Sequence, residues 1–198
     1  MGDLATLGLV VLAYVLGSVN FGLVVAKGQG VDLRSIGSGN TGATNVGRAL
    51  GTGWGRAVLF LDALKGLAPT LLARAVVDGA GPSWPTAAVG LAAVLGHVFP
   101  LWHGLRGGKG VATALGTLLA VHPGAALIAV VGFLLVRKAS RRTSVASLAA
   151  AAFATGWTMW SHGIASPAAI MVGAMTVLIV VRHRDNLRRL RAGTEPPR

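Results

Sequence analysis

The stretch VATALGTLLAVHPGAALIAVVGFLLVRK, residues 111–138, decides how this chain is laid out. It carries no Asp, Glu, Lys or Arg from Val111 to Val136, and His122-Pro123 stands near its middle. A helix crossing a bilayer takes about 20 residues. The stretch is therefore either a single span kinked at Pro123 or two short helices that turn back there. A single span would put Arg137, Lys138, Arg141, Arg142 and the Arg-rich tail opposite the other basic segments. A hairpin keeps every basic cluster on one face, as the excess of Lys and Arg in cytoplasmic loops requires. The charges favour the hairpin.

The same rule orders the rest of the sequence. Apolar runs predict spans at 4–26, 57–77, 84–103, 111–121, 124–136, 144–160 and 166–181. Seven spans place the N-terminus outside and the C-terminus in the cytoplasm. The inner segments 27–56, 104–110, 137–143 and 182–198 then hold 16 of the 18 Lys and Arg, while the outer turns are nearly uncharged apart from Asp78. Composition agrees: mean hydropathy is +0.66 and 12% of residues are charged, where a soluble domain has about a quarter. The expected fold is an all-α integral membrane protein, a seven-helix bundle forming one membrane domain over residues 1–198. The first Lys or Arg is Lys27, so residues 4–26 lack the basic start of a cleaved leader and read as a retained span.

Several functions are excluded by what is missing. There is no cysteine, hence no disulfide, thiolate nucleophile or cysteine metal site. The net charge of +12 sits at membrane edges, and the 5 Trp, 1 Tyr and 5 Phe are scattered. No basic–aromatic surface for stacking bases results, so nucleic acid is not an expected partner and membrane lipid is. His97 and His103 are a poor metal spacing with no acidic neighbour in sequence, so neither metal nor cofactor is expected.

Three polar segments share the inner face. In the first, GVDLRSIGSGNTGATNVGRALG (30–51), Ser38, Asn40, Thr41 and Asn45 stand among glycines with Arg34 and Arg48 at the flanks. The second is GGKGVAT (107–113): Gly107, Gly108 and Gly110 expose backbone N–H groups, Lys109 adds a cation, and a helix beginning at Val111 adds its positive end. That is a phosphate cradle, and it is not a Walker A loop, which would need Gly at His103 and Ser or Thr at Gly110. The third, RHRDNLRRLRAGTE (182–195), brings His183 and Asn186 onto one helical face. Asp62 and Lys65, three apart inside the second span, are either a functional site or a mutually neutralising structural pair.

These residues resemble a family. GSVNFG (17–22) with Lys27, GSGNTGATNVGR (37–48), DALKG (62–66), GHVFP (96–100), GGKGVAT, HRDN (183–186) and GTE (193–195) occur in order along nearly the whole chain. In this the chain is similar to the PlsY family, bacterial membrane acyltransferases that acylate glycerol 3-phosphate from acyl phosphate. Two positions depart from the family's pattern: Asn20 stands where Pro is usual, and Leu105 where an aromatic residue is usual. The resemblance implies acylation of the sn-1 hydroxyl in the bacterial inner membrane with the active face cytoplasmic, and a partner enzyme that supplies acyl phosphate. It also implies that Ser38, Arg48, Lys109, His183 and Asn186 surround the reacting groups. Glycerol 3-phosphate would contact Ser38, Asn40, Thr41, Asn45, Arg48, His183 and Asn186. Acyl phosphate would contact Gly107, Gly108, Lys109, Gly110 and Thr113. For the base, either His183 with an ordinary imidazole pKa or a substrate phosphate oxygen serves. Two rivals are weaker: no His is followed five residues later by Asp, as an HxxxxD acyltransferase needs, and an anion channel would need a second polar cluster on the outer face.

Overall fold

The computed structural model describes residues 2–77 and 83–195, so Asp78 and the last three residues lie outside the described part. Its described residues form helices and connecting turns without strands. In chain order the helices are α1 (Gly2–Gly17), α2 (Phe21–Gly28), α3 (Ala43–Leu50), α4 (Thr52–Val77), α5 (Trp84–Val98), α6 (Val111–Val121), α7 (Pro123–Ser140), α8 (Thr143–His162), α9 (Pro167–Arg182) and α10 (Arg184–Arg191). Helix is what a chain in lipid must form, because it alone pairs each backbone group within one segment. Three helical stretches, Leu4–Gly28, Trp84–His103 and Pro123–Ser140, are long and apolar enough to cross a membrane, and Pro167–Arg191 is a fourth if its bent halves count as one.

The expectation of separate helices at 111–121 and beyond Pro123 matches the structure: α6 ends at Val121, Pro123 occupies the first turn of α7, and the two helices touch. Three features differ from the expectation. Residues 4–26 are not one helix but two, broken at Ser18–Asn20, because the Asn20 side chain accepts from Leu23 N at 3.2 Å and starts α2 afresh. The loop 30–51 contains a helix of its own, α3. The chain bends 54° at His183 rather than continuing as one helix.

Glycine sets the tightest helix approaches. A Cβ on Gly66 would overlap the carbonyl of Thr113, and one on Gly116 would overlap that of Ala63, so α4 and α6 meet backbone to backbone. Gly17 against Ala93 and Gly96 against Tyr14 do the same for α1 and α5. Between these pairs lies a core of Val94, Val98, Leu118, Met171, Val172 and Met175 from α5, α6 and α9.

The broken first helix leaves the Val19 carbonyl without its helical partner. Lys65 Nζ reaches over from α4 and donates to it at 2.7 Å, while lying 3.0 Å from Asp62 Oδ1. Asn20 Nδ2 in turn donates to Thr41 Oγ1 at 2.9 Å, tying the break to the polar loop. Asn20 thus both caps α2 and anchors the loop.

Overpacking at an intimate helix contact costs about 1–3 kcal/mol. Gly66→Ala and Gly116→Ala should each lower the thermal midpoint of the detergent-solubilised protein. Gly156→Ala should not, since nothing lies within 4 Å of the added methyl.

Candidate active site

Residues of all three polar segments line one cavity of about 500 Å³. Ser38, Asn40, Asn45 and Arg48 line it from the first, Lys109, Gly110, Val111 and Ala112 from the second, and His183, Asn186 and Glu195 from the third. A second cavity of about 540 Å³ opens beside it, lined by Arg34, Arg106, Arg182, Arg184 and Arg189, and the two share Ser38, Asn40, Lys109, Asn186 and Arg189. Lys109 therefore stands in the wall between a mixed chamber and a strongly basic vestibule.

A hydrogen-bonded relay fixes it there. Lys109 Nζ donates to Asn186 Oδ1 at 2.5 Å, and Asn186 Nδ2 donates to Glu195 Oε1 at 2.7 Å. The same oxygen accepts from Ser144 Oγ at 2.7 Å, and Oε2 accepts from Arg189 Nε at 2.8 Å. Glu195 is the chain's only glutamate, and it joins α8, α10 and the glycine loop. Sequence reasoning quoted its GTE motif without giving it a task and passed over Ser144. A lone Glu in a chain of net charge +12 was the available signal.

The cradle is not built quite as expected. The N–H groups of Gly107 and Gly108 are not free: they donate to Val98 O at 3.1 Å and His97 O at 3.2 Å. Arg182 grips the other side, donating to Gly107 O at 3.0 Å and Gly108 O at 3.3 Å. These glycines are needed for closeness, since a Cβ on Gly108 would overlap the His97 ring. The open donors belong one turn later. Gly110, at φ 84°, caps α6 without any side-chain hydrogen bond, so the first turn of α6 points unpaired N–H groups and its positive end at the cavity. Thr113 is fully buried and does not line the cavity. Its carbonyl packs on Gly66, which turns the residue away.

In the first segment, Ser38 and Arg48 are exposed at the rim. Asn45 is buried and spends its amide on Leu33 O and Ile36 O at 3.2 and 2.9 Å and its oxygen on Ser38 N at 3.1 Å. Asn40 accepts from Gly42 N at 2.9 Å, and Thr41 is held by Asn20. Asn45 and Thr41 are rivets of the loop, and Ser38 and Arg48 are what the loop presents.

Electrostatics sharpens two roles. Burial pushes the Lys109 ammonium down from 10.5 to about 8, with Glu195 opposing and Arg189, Arg48 and Arg182 assisting. Burial also pushes His183 from 6.5 to about 4, and the charge of Lys109 adds to this, against opposing help from the Ile179 carbonyl and Glu195. His183 thus lacks the ordinary pKa that a base near neutrality would have. Its Nδ1 lies 2.8 Å from Ile179 O; a carbonyl only accepts, so Nδ1 carries the hydrogen and Nε2 keeps the lone pair. For Glu195, burial raises the pKa, but the hydrogen bonds from Ser144, Asn186 and Arg189 outweigh it and hold the carboxyl below its usual range. His97 has the acidic partner its sequence neighbours lack: Asp62 Oδ1 lies 3.6 Å from its Nδ1.

Comparison with known proteins settles the lineage. A family model described as glycerol-3-phosphate acyltransferase matches residues 7–193. The chain belongs to the glycerol-3-phosphate acyltransferase family. Among acyltransferases of that name, one from Anaeromyxobacter sp. (strain Fw109-5) is 48% identical, over 96% of this chain and 95% of its own. Another, from Aquifex aeolicus, is 46% identical over 94% and 96%. The crystal structure of PlsY (YgiH), an integral membrane glycerol 3-phosphate acyltransferase, in its glycerol 3-phosphate form superposes with a TM-score of 0.93 at 45% identity, over 98% of this chain and 96% of that one. Its lysophosphatidic acid form gives 0.90 at 44% identity, over 98% and 95%.

For this acyltransferase, the depressed Lys109 pKa sets the sign of a pH effect. The ammonium is complete well below pH 8 and lost above it, so kcat/KM should fall with a midpoint near pH 8 in the free enzyme. Glu195 supports the charged form of Lys109. Glu195→Gln should therefore move that falling limb to lower pH, and a limb left in place would show that the relay does not couple the two groups.

Proposed function

We propose that the protein transfers a fatty acyl group from acyl phosphate to the sn-1 hydroxyl of glycerol 3-phosphate, giving lysophosphatidate and inorganic phosphate in the first acylation of phospholipid synthesis. The observation that carries this reading is the cavity itself. It sets Lys109 and the open first turn of α6 against the His183–Asn186–Glu195 face, and its remaining wall includes apolar Leu59, Val111 and Phe133. Two phosphates and one hydrocarbon chain are what such a chamber suits.

Acyl phosphate is a mixed anhydride with a good leaving group, so no covalent acyl-enzyme is needed. Lys109 and the first-turn N–H groups of α6 hold the acyl phosphate. Arg48, His183 and Asn186 hold the acceptor phosphate, with Ser38 at the rim. The acceptor oxygen attacks the acyl carbon, the carbon–oxygen bond to phosphate breaks, and the departing phosphate keeps the electron pair. The hydroxyl proton passes to a phosphate oxygen of the substrates, whose pKa of about 6 makes it a better base than His183. Alignment of this kind supplies about 7–11 kcal/mol of barrier lowering at best. The basic vestibule draws both anions from the water side.

In this reading the chain is one membrane domain of seven spans. The N-terminus is outside, the C-terminus and the cavity face the cytoplasm, and the bilayer is the bacterial inner membrane. The one-sided distribution of Lys and Arg supports that orientation.

Purified protein supplied with palmitoyl phosphate and glycerol 3-phosphate should release phosphate and lysophosphatidate in equal amounts. Lys109→Ala should lower kcat/KM about 10²-fold or more, and full retention would remove Lys109 from the cradle. Since the chain has no native cysteine, Ile164→Cys should label from outside intact cells with an impermeant maleimide, and Arg188→Cys should not. The reverse pattern would invert the topology.

A further inference from the structure

Asp62 and His97 have no part in the chemistry above, yet both line the cavity of about 500 Å³. They are buried, at 3% and 7% exposed, and come from different helices, α4 and α5. Asp62 Oδ1 and His97 Nδ1 lie 3.6 Å apart, and neither has a hydrogen-bond partner. Lys65 Nζ stands 3.0 Å from the same carboxylate oxygen as an ion pair and donates one of its three N–H groups to Val19 O.

The other acid of the cavity is spoken for. Glu195, the second acid in its wall, has both oxygens occupied by Ser144, Asn186 and Arg189. Lys109, Arg48 and Arg189 are cations, suited to phosphate oxygens and unable to accept from a hydroxyl. Among the described lining residues, Asp62 offers the one carboxylate oxygen without a hydrogen bond, beside an imidazole nitrogen in the same condition. Leaving buried polar atoms unpaired costs stability. A single hydroxyl relieves both, because it donates to Oδ1 while accepting from Nδ1–H.

We propose that Asp62 and His97 together receive the hydroxyl of glycerol 3-phosphate that is not acylated, and so select a diol phosphate as acceptor. The proposal rests on the acceptor assignment made above. Its geometry comes from the glycine loop: the His97 carbonyl accepts from Gly108 N and the ring lies against Gly108. The pair thus sits beneath the loop and to the side of the first turn of α6, where the acyl phosphate is held. The reacting hydroxyl must face that turn, and the spectator hydroxyl faces the pair. Lys65 is a positioning residue here, holding Asp62 by the ion pair to Oδ1.

The test compares glycerol 3-phosphate with 3-hydroxypropyl phosphate, which lacks the second hydroxyl, as acceptors for palmitoyl phosphate. Wild-type enzyme should show kcat/KM about ten-fold or more higher for glycerol 3-phosphate, the worth of one hydrogen bond to a charged group. His97→Ala should lose rate with glycerol 3-phosphate alone, bringing the ratio towards one. Asp62→Asn, which removes the carboxylate charge and leaves Lys65 on the Val19 carbonyl, should lower the ratio as well. A wild-type ratio near one overturns the proposal before any variant is made. A high ratio persisting in His97→Ala also overturns it and leaves the pair to a structural water. Failure of wild-type enzyme to acylate either acceptor would instead overturn the acyltransferase reading beneath it.

Discussion

Much of this structure hangs on Lys65 Nζ meeting the carbonyl of Val19. A helix broken among other helices exposes backbone groups that lipid cannot satisfy, so the break at Ser18–Asn20 persists only because a side chain from α4 repairs it. The repair needs a cation, the cation needs Asp62, and Asp62 brings His97 within reach. Three buried polar residues thereby lock α1, α2, α4 and α5 at one level. The break also aims Asn20 at Thr41, so the same knot settles where the polar loop hangs over the cavity.

A second support comes from the motifs around the glycine loop. Glu195 gathers Ser144, Asn186 and Arg189, while Arg182 grips the carbonyls of the glycine loop from the end of α9. Loop 107–110 is thus clamped between the His97 and Val98 carbonyls on one side and a guanidinium on the other. The clamped loop presents Lys109 to both cavities.

Much of this was legible in the sequence, for reasons that differ by element. The α6–α7 turn could be read because Pro123 and the basic residues after Val136 act locally and along one dimension. The meeting of Ser38, Arg48, Lys109, His183 and Asn186 could be read because short motifs kept their order. What escaped depended on pairing across space. Gly107 and Gly108 read as open donors because nothing in GGKG tells that His97 and Val98 will claim their N–H groups. Asp62 and His97 stand far apart in the chain and meet only once α4 and α5 are packed. The pKa of His183 was misjudged for the same reason, since its burial and its closeness to Lys109 are tertiary facts.

Lys109 in the shared wall carries one more consequence. Near pH 8 an appreciable fraction of the empty enzyme holds this amine uncharged, and an arriving phosphate favours the ammonium. Substrate binding in that range is then accompanied by uptake of a proton from solution. The measured heat of binding would vary with the ionisation enthalpy of the buffer, and the two anions would influence each other's affinity through a single amine without any movement of the helices.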